Sequence, residues 1–332
     1  MMKRRTLLKL LGACPLGVPA WSAAAAAAQR YPSRQVTMMV GSTPGSATDL
    51  AARLAAQVMQ TAFKQSVVVE NRAGAGGVIC MLAVAASPPD GYVLQLGGLG
   101  HNVIPPVTRT GMPIDIPKRI IPIAQAAEFL NVLVVGSQHP ANSLQEYIAY
   151  QKKTGKTLLY GSNGVGSSSH MTSELFGLRT GMKVQHVPYK GASEALVGVA
   201  NGDLDLLFMN LPPTLPMIQS GRLKALAVTS SYRARQLPDV PTMQQQGMED
   251  FDVTSWLGVY GPAGIPPDIV NLLSDTLVKG FDTPEYREKF ISAGFEPRLR
   301  DAAAFTAYNQ AELKRWGEVA RHAGVSIPYG AT

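Results

Sequence analysis

The sequence predicts an α/β protein in which mainly parallel sheets are flanked by helices. From residue 31 onward, short apolar segments rich in β-branched residues alternate with segments of helical periodicity, which is the pattern of βαβ units. The chain has 332 residues, which is enough for two ordinary domains with a core in each. After residue 262 the pattern becomes mainly helical. We therefore expect two α/β domains with additional helices near the C-terminus.

The individual elements follow from periodicity and from start and stop signals. A strand is predicted over residues 36–40, and a helix over 49–63. Ser143 to Glu146 form a capping box that opens a helix to about residue 153. Residues 97–122 are rich in Gly, Pro and Asn, and no regular element is predicted there. Further strands are predicted over 66–70, 92–96, 131–135, 158–160, 183–187, 204–209 and 223–228. Proline or aspartate starts and glycine stops predict C-terminal helices over 267–280, 284–293 and 301–323.

The charge distribution gives no reason to expect a nucleic-acid partner. The formal net charge is +7, and four of the positive residues precede Gln29, namely Lys3, Arg4, Arg5 and Lys9. The remainder carries +3 (7 minus 4), with no long basic run or basic stripe interleaved with aromatic residues. No apolar segment after the N-terminal region is long enough to span a bilayer.

Residues 1–28 are predicted to be a cleaved export signal, because a basic start is followed by an apolar stretch and an alanine run. Arg4-Arg5 resembles the twin-arginine signal, although a general secretory signal with two chance arginines is the alternative. Cys14 lies in a sequence similar to a lipoprotein cleavage box, so lipidation there is a further alternative. Signal cleavage at residue 28 leaves Cys80, predicted to be a small buried hydrophobic residue, as the single cysteine.

Three glycine-rich loops follow predicted strands and precede predicted helices, at residues 41–49, 71–77 and 160–170. Glycines allow backbone N–H groups to approach a ligand closely, and the N-terminus of the next helix favours an anion. These loops carry few groups for proton transfer, so they are typical of oxyanion recognition by fixed dipoles and hydroxyls. An ordinary tight turn is the alternative for each loop, and Ser46 with Asp49 also fits a capping box.

The sequence lacks the usual signatures of catalysis and of metal binding. There is no G-x-S-x-G nucleophile elbow, no dinucleotide fingerprint at the loops and no P-loop lysine. No two of the five histidines lie three or four residues apart, and Cys80 has no cysteine partner, so we expect no metal site. We also expect no cofactor.

An ordered series of motifs resembles the Bug-type periplasmic solute-binding receptors of the tripartite tricarboxylate transporters. The series runs from residue 31 to about residue 326. Its most characteristic blocks are V-E-N-R-A-G-A-G-G at 69–77, P-D-G-Y at 89–92, Y-G-S-N-G-V-G-S-S-S-H at 160–170, H-V-P-Y-K-G at 186–191 and G-D-L-D-L-L-F at 202–208. Any one block is weak evidence for this family, whereas the whole set in this order is highly specific for it.

The resemblance implies a two-domain periplasmic binding protein of type II, often called a Venus flytrap. The chain of such a protein crosses between the domains twice, and we expect the crossings near Glu128 and Asp250. Domain 1 would then comprise residues 29–127 and 250–332, and domain 2 residues 128–249. The ligands of the family are mostly small carboxylates, held between one strand–turn–helix element from each domain.

The resemblance assigns ligand contacts to the two loops and to a few residues near them. The predicted ligand-binding residues are Ser42, Thr43, Gly45, Ser46, Ala47, Asp49, His101, Asn102, Asn163, Gly164, Val165, Gly166, Ser167, Ser168, His170, Tyr189, Met209 and Asn210. The family usually has Pro-Phe before the first loop, where this chain has Gly41-Ser42, so the pocket wall differs. Met209 stands where many relatives have an acid, which weakens the case for a ligand with an ammonium group.

The sequence thus predicts a monomeric, exported receptor that captures a small carboxylate and delivers it to membrane transporter subunits. Two other classes remain open. One is an exported hydrolase or transferase on an α/β fold, which would consume its ligand. The other is a receptor that signals only to a sensor kinase.

Overall fold

The computed structural model of the protein describes residues 31–164, 167–322 and 326–329. The predicted export signal and Cys14 therefore lie outside the described residues. The strands are β1 (Val36–Val40), β2 (Val67–Asn71), β3 (Val93–Gly98), β4 (Arg109–Thr110), β5 (Ile120–Gly136), β6 (Leu158–Ser162), β7 (Val184–Pro188), β8 (Leu207–Asn210), β9 (Leu223–Val228), β10 (Thr254–Pro262), β11 (Glu296–Arg300) and β12 (Ile327–Pro328). The helices are α1 (Ala47–Phe63), α2 (Val78–Ala85), α3 (Ile104–Thr108), α4 (Ile116–Arg119), α5 (Leu144–Thr154), α6 (Ser168–Thr180), α7 (Ala192–Asn201), α8 (Leu211–Gln219), α9 (Pro267–Phe281), α10 (Pro284–Ser292) and α11 (Ala302–His322).

A six-strand path in the order β2-β1-β3-β10-β5-β11 forms the centre of the first lobe. Strand β1 is parallel to β2 and β3, whereas β10 runs antiparallel to both β3 and β5. Apolar residues of β1, β3 and β10 pack against α1 and α9 in one buried cluster. On the α1 side this cluster is rich in alanine, and Ala51 and Ala55 are fully buried, so the helix lies close to the sheet.

Strand β5 joins the two lobes and is 17 residues long. It pairs with β10 and β11 up to Leu130, and with β8 and β9 from Asn131 onward. All of these pairs are antiparallel, so β5 runs opposite to each of its neighbours in both lobes. The predicted fold class is confirmed, with a mixed sheet at the crossover.

The second lobe is built on both sides of β8 and β9. Strand β6 is parallel to β7, and Tyr160 of β6 bridges to Leu206 next to β8. One apolar cluster includes the buried residues of α7 and α8, and another joins α5, α6 and Phe251. These two clusters hold the second glycine loop between β6 and α6.

Residues 99–119, where no regular element was predicted, contain short helical turns and the two-residue strand β4. A π-helical turn covers Leu99–Val103 and leads directly into α3. The short helix α4 then leads into β5. In the described part of the chain, no helix has both the length and the apolar character needed to cross a bilayer.

Candidate functional site

The first loop connects the end of β1 to the start of α1 and is fixed by its own capping groups. The hydroxyl of Ser46 accepts a hydrogen bond from the backbone N–H of Asp49 (3.2 Å), which makes Ser46 the N-cap residue of α1. Gly45 has a φ of 78°, a conformation that favours glycine, and its N–H donates to the Asp49 carboxylate (2.9 Å). The chain between them is therefore held in one shape before any ligand arrives.

The buried carboxylate of Asp49 forms hydrogen bonds that hold this loop. Its side chain is only 2% exposed, and Arg53 donates to both carboxylate oxygens at 3.0 Å. The amide of Asn71 donates to the same carboxylate and to the carbonyl of Ser42, both at 3.0 Å. Burial alone would raise the pKa of Asp49, but the hydrogen bonds from Arg53, Gly45 and Asn71 outweigh it and hold the pKa below its usual range. Only half of the predicted capping box forms, because Asp49 N–H donates to Ser46 while its carboxylate accepts from Gly45 N–H instead of Ser46 N–H.

His101 forms the wall behind the first loop. Its Nε2 lies 3.0 Å from the hydroxyl of Ser42, and burial lowers its pKa to about 4, so the ring is neutral at physiological pH. A Cβ added to Gly77 would lie 2.1 Å from the His101 ring, which explains why the 71–77 loop needs glycine there. Asn102 is buried, accepts from the N–H of Gly98 (3.1 Å) and donates to Gln95 (3.0 Å), so its amide is engaged within the first lobe.

The second loop, between β6 and α6, is fixed in a similar way by serine hydroxyls. Ser167 is the N-cap residue of α6 and accepts from the N–H of His170 (3.3 Å). Ser169 donates to the side-chain oxygen of Asn163 (2.7 Å) and accepts from its N–H (3.2 Å). Ser162 accepts from the N–H of Gly164 (3.2 Å). Val165 and Gly166, also predicted to bind ligand, lie outside the described residues.

A buried polar network supports the start of α6 from behind. The amide of Asn210 donates to the hydroxyl of Ser168 (3.1 Å) and to the side-chain oxygen of Asn131 (2.6 Å). Asn131 in turn donates to Thr172 (2.9 Å), and its backbone N–H donates to Thr229 (3.0 Å). Because Asn131 stands on β5 where the strand enters the second lobe, this network ties the second loop to the crossover.

Three stacked rings flank the second loop. The rings of His170 and His186 lie 4.1 Å apart at 13°, and Tyr160 stacks on His186 at 5.1 Å. Burial lowers the pKa of both histidines, and His170 lowers that of His186 further, while Glu174 opposes both shifts. His186 Nε2 lies 2.6 Å from the hydroxyl of Ser162. The two histidine rings therefore favour the neutral form, in which they act as hydrogen-bonding groups and not as positive charges.

The two lobes meet at residues beside these loops. A Cβ added to Gly191 would lie 2.6 Å from Thr43 Oγ1, and one added to Gly45 would lie 3.6 Å from Ser193 Oγ. Neither Gly191 nor Ser193 was predicted as a site residue, although the H-V-P-Y-K-G motif that contains Gly191 was recognised. The first loop of the first lobe thus contacts the start of α7 of the second lobe.

Tyr189 and Met209 belong to the second-lobe interior. Tyr189 packs against Gly161 and Gly198, at which an added Cβ would lie 3.4 and 2.6 Å from its ring carbon and hydroxyl. Met209 is fully buried in the apolar cluster of α7 and α8. Among the described residues, no group of three His, Cys, Asp or Glu side chains could hold a metal ion. The loops offer backbone N–H groups, hydroxyls and neutral imidazoles.

Two lobes joined by crossing strands, each with a capped strand–turn–helix loop, and the first of these loops in contact with the start of α7 of the other lobe, are typical of two-domain solute-binding proteins. The sequence model of the tripartite tricarboxylate transporter family receptor matches residues 51–325, and the chain belongs to this family of periplasmic solute-binding receptors. The predicted Bug-type membership is confirmed. The family is one of receptors rather than enzymes.

Relatives support this assignment along nearly the full chain. Protein BugT of Bordetella pertussis is 34% identical over 92% of this chain and 94% of its own length. The structure of R. palustris Rpa4515 with adipate has a TM-score of 0.84 and 33% identity, covering 90% of this chain and 99% of that one. MatC (Rpa3494) from Rhodopseudomonas palustris with bound malate has a TM-score of 0.79 and 29% identity, covering 87% of this chain and 100% of that one.

Proposed function

We propose that the protein captures a small organic carboxylate between its two lobes and delivers it to a tripartite tricarboxylate-type transporter in the membrane. The observation that carries this proposal is that each lobe has a capped strand–turn–helix loop, at Gly45 and at Gly164, and that the first loop contacts the second lobe at the start of α7. Relatives at about 30% identity are solved with adipate and with malate, which favours a dicarboxylate as the ligand class.

The loops suit a carboxylate because each ends at a helix N-terminus. Backbone N–H groups at such an end carry partial positive charge and point along the helix axis toward the loop. A charge-assisted hydrogen bond contributes roughly 1.5–3 kcal/mol, so a few donors on each lobe suffice for tight binding. Of the predicted residues, Ser42, Asn163, Ser167 and Ser168 are the ones we assign to direct ligand contact, whereas Thr43 contacts the start of α7. Asp49, Asn102 and Asn210 would act by holding the loops.

We further propose the domain division predicted from the sequence, residues 29–127 with 250–332 and residues 128–249. The pairing partners of β5 change between Leu130 and Asn131, within three residues of the first crossing predicted near Glu128, and this supports that boundary. Phe251 packs in the second lobe while β10 pairs in the first, which supports the second crossing. Cleavage after about residue 28 would release the mature receptor into the periplasm.

An exported hydrolase is the rival class, and two serine–histidine pairs give it a specific basis. Ser42 lies against His101 and Ser162 against His186 at hydrogen-bond distance. Within the described residues, neither of these rings is hydrogen-bonded to a carboxylate, the group that orients the base in a catalytic triad. We therefore favour binding without turnover. A receptor that only signals to a kinase would bind identically and differ in its membrane partner.

Isothermal titration calorimetry of the mature protein tests the proposal. Malate, succinate, adipate and citrate form the panel, and the dimethyl ester of each bound dicarboxylate is the matched control. We expect at least one acid to bind, its ester to show no binding, and the acid to be recovered unchanged. Equal binding of acid and ester would contradict carboxylate recognition, and conversion of the ligand would favour the hydrolase.

A further inference from the structure

The contact between Gly191 and Thr43 is a close approach between the two lobes beside the proposed ligand loops. Thr43 lies in the first loop, between β1 and α1, and Gly191 immediately precedes α7 of the second lobe. A Cβ built on Gly191 would be 2.6 Å from Thr43 Oγ1, 3.4 Å from its Cβ and 3.6 Å from its Cγ2. The distance to Oγ1 is too short for a real Cβ, so either the Thr43 side chain must rotate or the lobes must move apart.

The backbone of Gly191 gives no other reason for glycine. Its φ of −166° and ψ of 171° are extended values that any residue adopts. The three nearest atoms to its added Cβ all belong to Thr43 of the opposite lobe. Among the described residues, the space for a side chain at this position is therefore limited by the contact with Thr43 of the opposite lobe.

We propose that Gly191 is a positioning residue for closure: the absence of its side chain allows the Thr43 loop to seat against the start of α7 and sets how far the lobes close. This inference rests on the proposed function, in which the closed form holds the ligand. A side chain at position 191 would act as a wedge, and it would lower affinity by disfavouring the closed form without touching the ligand.

A series of variants with larger side chains at position 191 measures how strongly this contact affects ligand affinity. Alanine at position 191 meets mainly the Thr43 hydroxyl, which a change of rotamer partly relieves, whereas valine adds two further methyl groups. We expect the calorimetric affinity for whichever of malate or adipate binds to fall several-fold in Gly191→Ala and by about tenfold or more in Gly191→Val. Combining Gly191→Ala with Thr43→Ala removes the nearest clashing atom, so Gly191→Ala should cost little affinity when compared with Thr43→Ala alone.

Gly191 is also the N-cap residue of α7, so an effect on folding must be separated from one on closure. Urea unfolding without ligand measures the loss of the glycine N-cap separately, and affinities are compared under conditions in which every variant is fully folded. An affinity loss of equal size in both Thr43 backgrounds would overturn the proposal, as would unchanged affinity in Gly191→Val.

A disulfide test needs no ligand and therefore distinguishes failure of this inference from failure of the proposed function. The added Cβ of Gly191 and the Cβ of Thr43 are 3.4 Å apart, close to the roughly 3.5–4.5 Å that disulfides span. We expect the Thr43→Cys, Gly191→Cys variant to cross-link under mild oxidation, and native Cys80 is buried and should not compete. Thr43→Cys with Lys152→Cys, an exposed residue on α5, controls for random collision.

If the Thr43–Gly191 pair cross-links no faster than the control pair, the contact is absent in solution and the inference is wrong. If it cross-links faster but neither malate nor adipate accelerates the reaction, the contact stands and the proposed carboxylate ligand is called into question. Acceleration by either acid supports both.

Discussion

The surroundings of the two histidines beside the second loop, His170 and His186, lower their pKa values and so favour the neutral form. The His186 ring stacks on both Tyr160 and His170, which also stack on each other, and burial followed by the neighbouring His170 lowers the pKa of His186, against the opposing effect of Glu174. A histidine whose pKa is lower in the folded protein than in the unfolded chain favours folding above the unfolded pKa of about 6.5. This stability is lost progressively as the pH falls from 6.5 toward the folded pKa.

We therefore predict that His186→Gln makes the free energy of unfolding less dependent on pH. Each proton taken up preferentially by the unfolded chain changes stability by at most about 1.4 kcal/mol per pH unit, and partial exposure reduces this value. Urea unfolding at pH 7.5 and pH 5.5 gives the comparison. His101, His139 and His170 also have lowered pKa values, so the variant should retain part of the dependence. Identical slopes in the two proteins would contradict the assignment.

At this scale the sequence predicted local contacts well and distant ones poorly. The capping of α1 by Ser46 was an explicit alternative because its partner Asp49 is three residues away. The bond from Asn71 to Asp49 spans 22 residues, and only the pairing of β1 with β2 brings the two together. Met209 was assigned to the ligand site by resemblance, whereas the strand orients it into the apolar cluster of the second lobe.

Among the elements, the crossing strand β5 shows where sequence patterns fail. Only residues 131–135 were predicted as a strand, although β5 runs from Ile120 to Gly136. Its first half contains Pro122, Gln125 and Glu128, which interrupt the apolar pattern. Strand β10 was not predicted at all. In both cases the pairing partners lie far away in the chain, so local periodicity carries little of the signal.

The second loop is the element on which the carboxylate proposal can be tested most locally. Gly164 has a φ of 135°, and a Cβ added to it would meet no atom of the described residues within 4 Å, so a side chain there adds backbone strain but no clash with them. Gly164→Ala and Gly164→Asp share that strain, and only the second adds a negative charge beside the anion site.

We predict that Gly164→Asp binds the carboxylate at least about tenfold more weakly than Gly164→Ala, because like charges repel in a partly desolvated site. Calorimetry with the best ligand of the panel measures the difference between the two variants. Equal affinities would show that the loop does not face the ligand's carboxylate.

For the whole molecule, further contacts between the lobes lie near the crossing strands. Arg235 pairs with Glu296 at 3.1 Å, and the amide of Gln236 donates to the carbonyl of Ile291. The Arg235 side chain is 65% exposed, so this ion pair contributes little to stability. In the proposed function, the ligand supplies most of the bias toward the closed form. A shift from mostly open to mostly closed requires about 5.5 kcal/mol of differential affinity. Two or three charge-assisted hydrogen bonds gained on the second lobe are of that size.

Small-angle X-ray scattering of the mature protein, with and without a saturating carboxylate shown to bind by calorimetry, tests the central claim most directly. The two-lobe clasp predicts a smaller radius of gyration with ligand, because the ligand binds the closed form more tightly and shifts the population toward it. Gly191→Val at the same ligand saturation should show a smaller decrease. Superimposable scattering curves for the free and the saturated protein would contradict closure on the ligand and leave a rigid binder in its place.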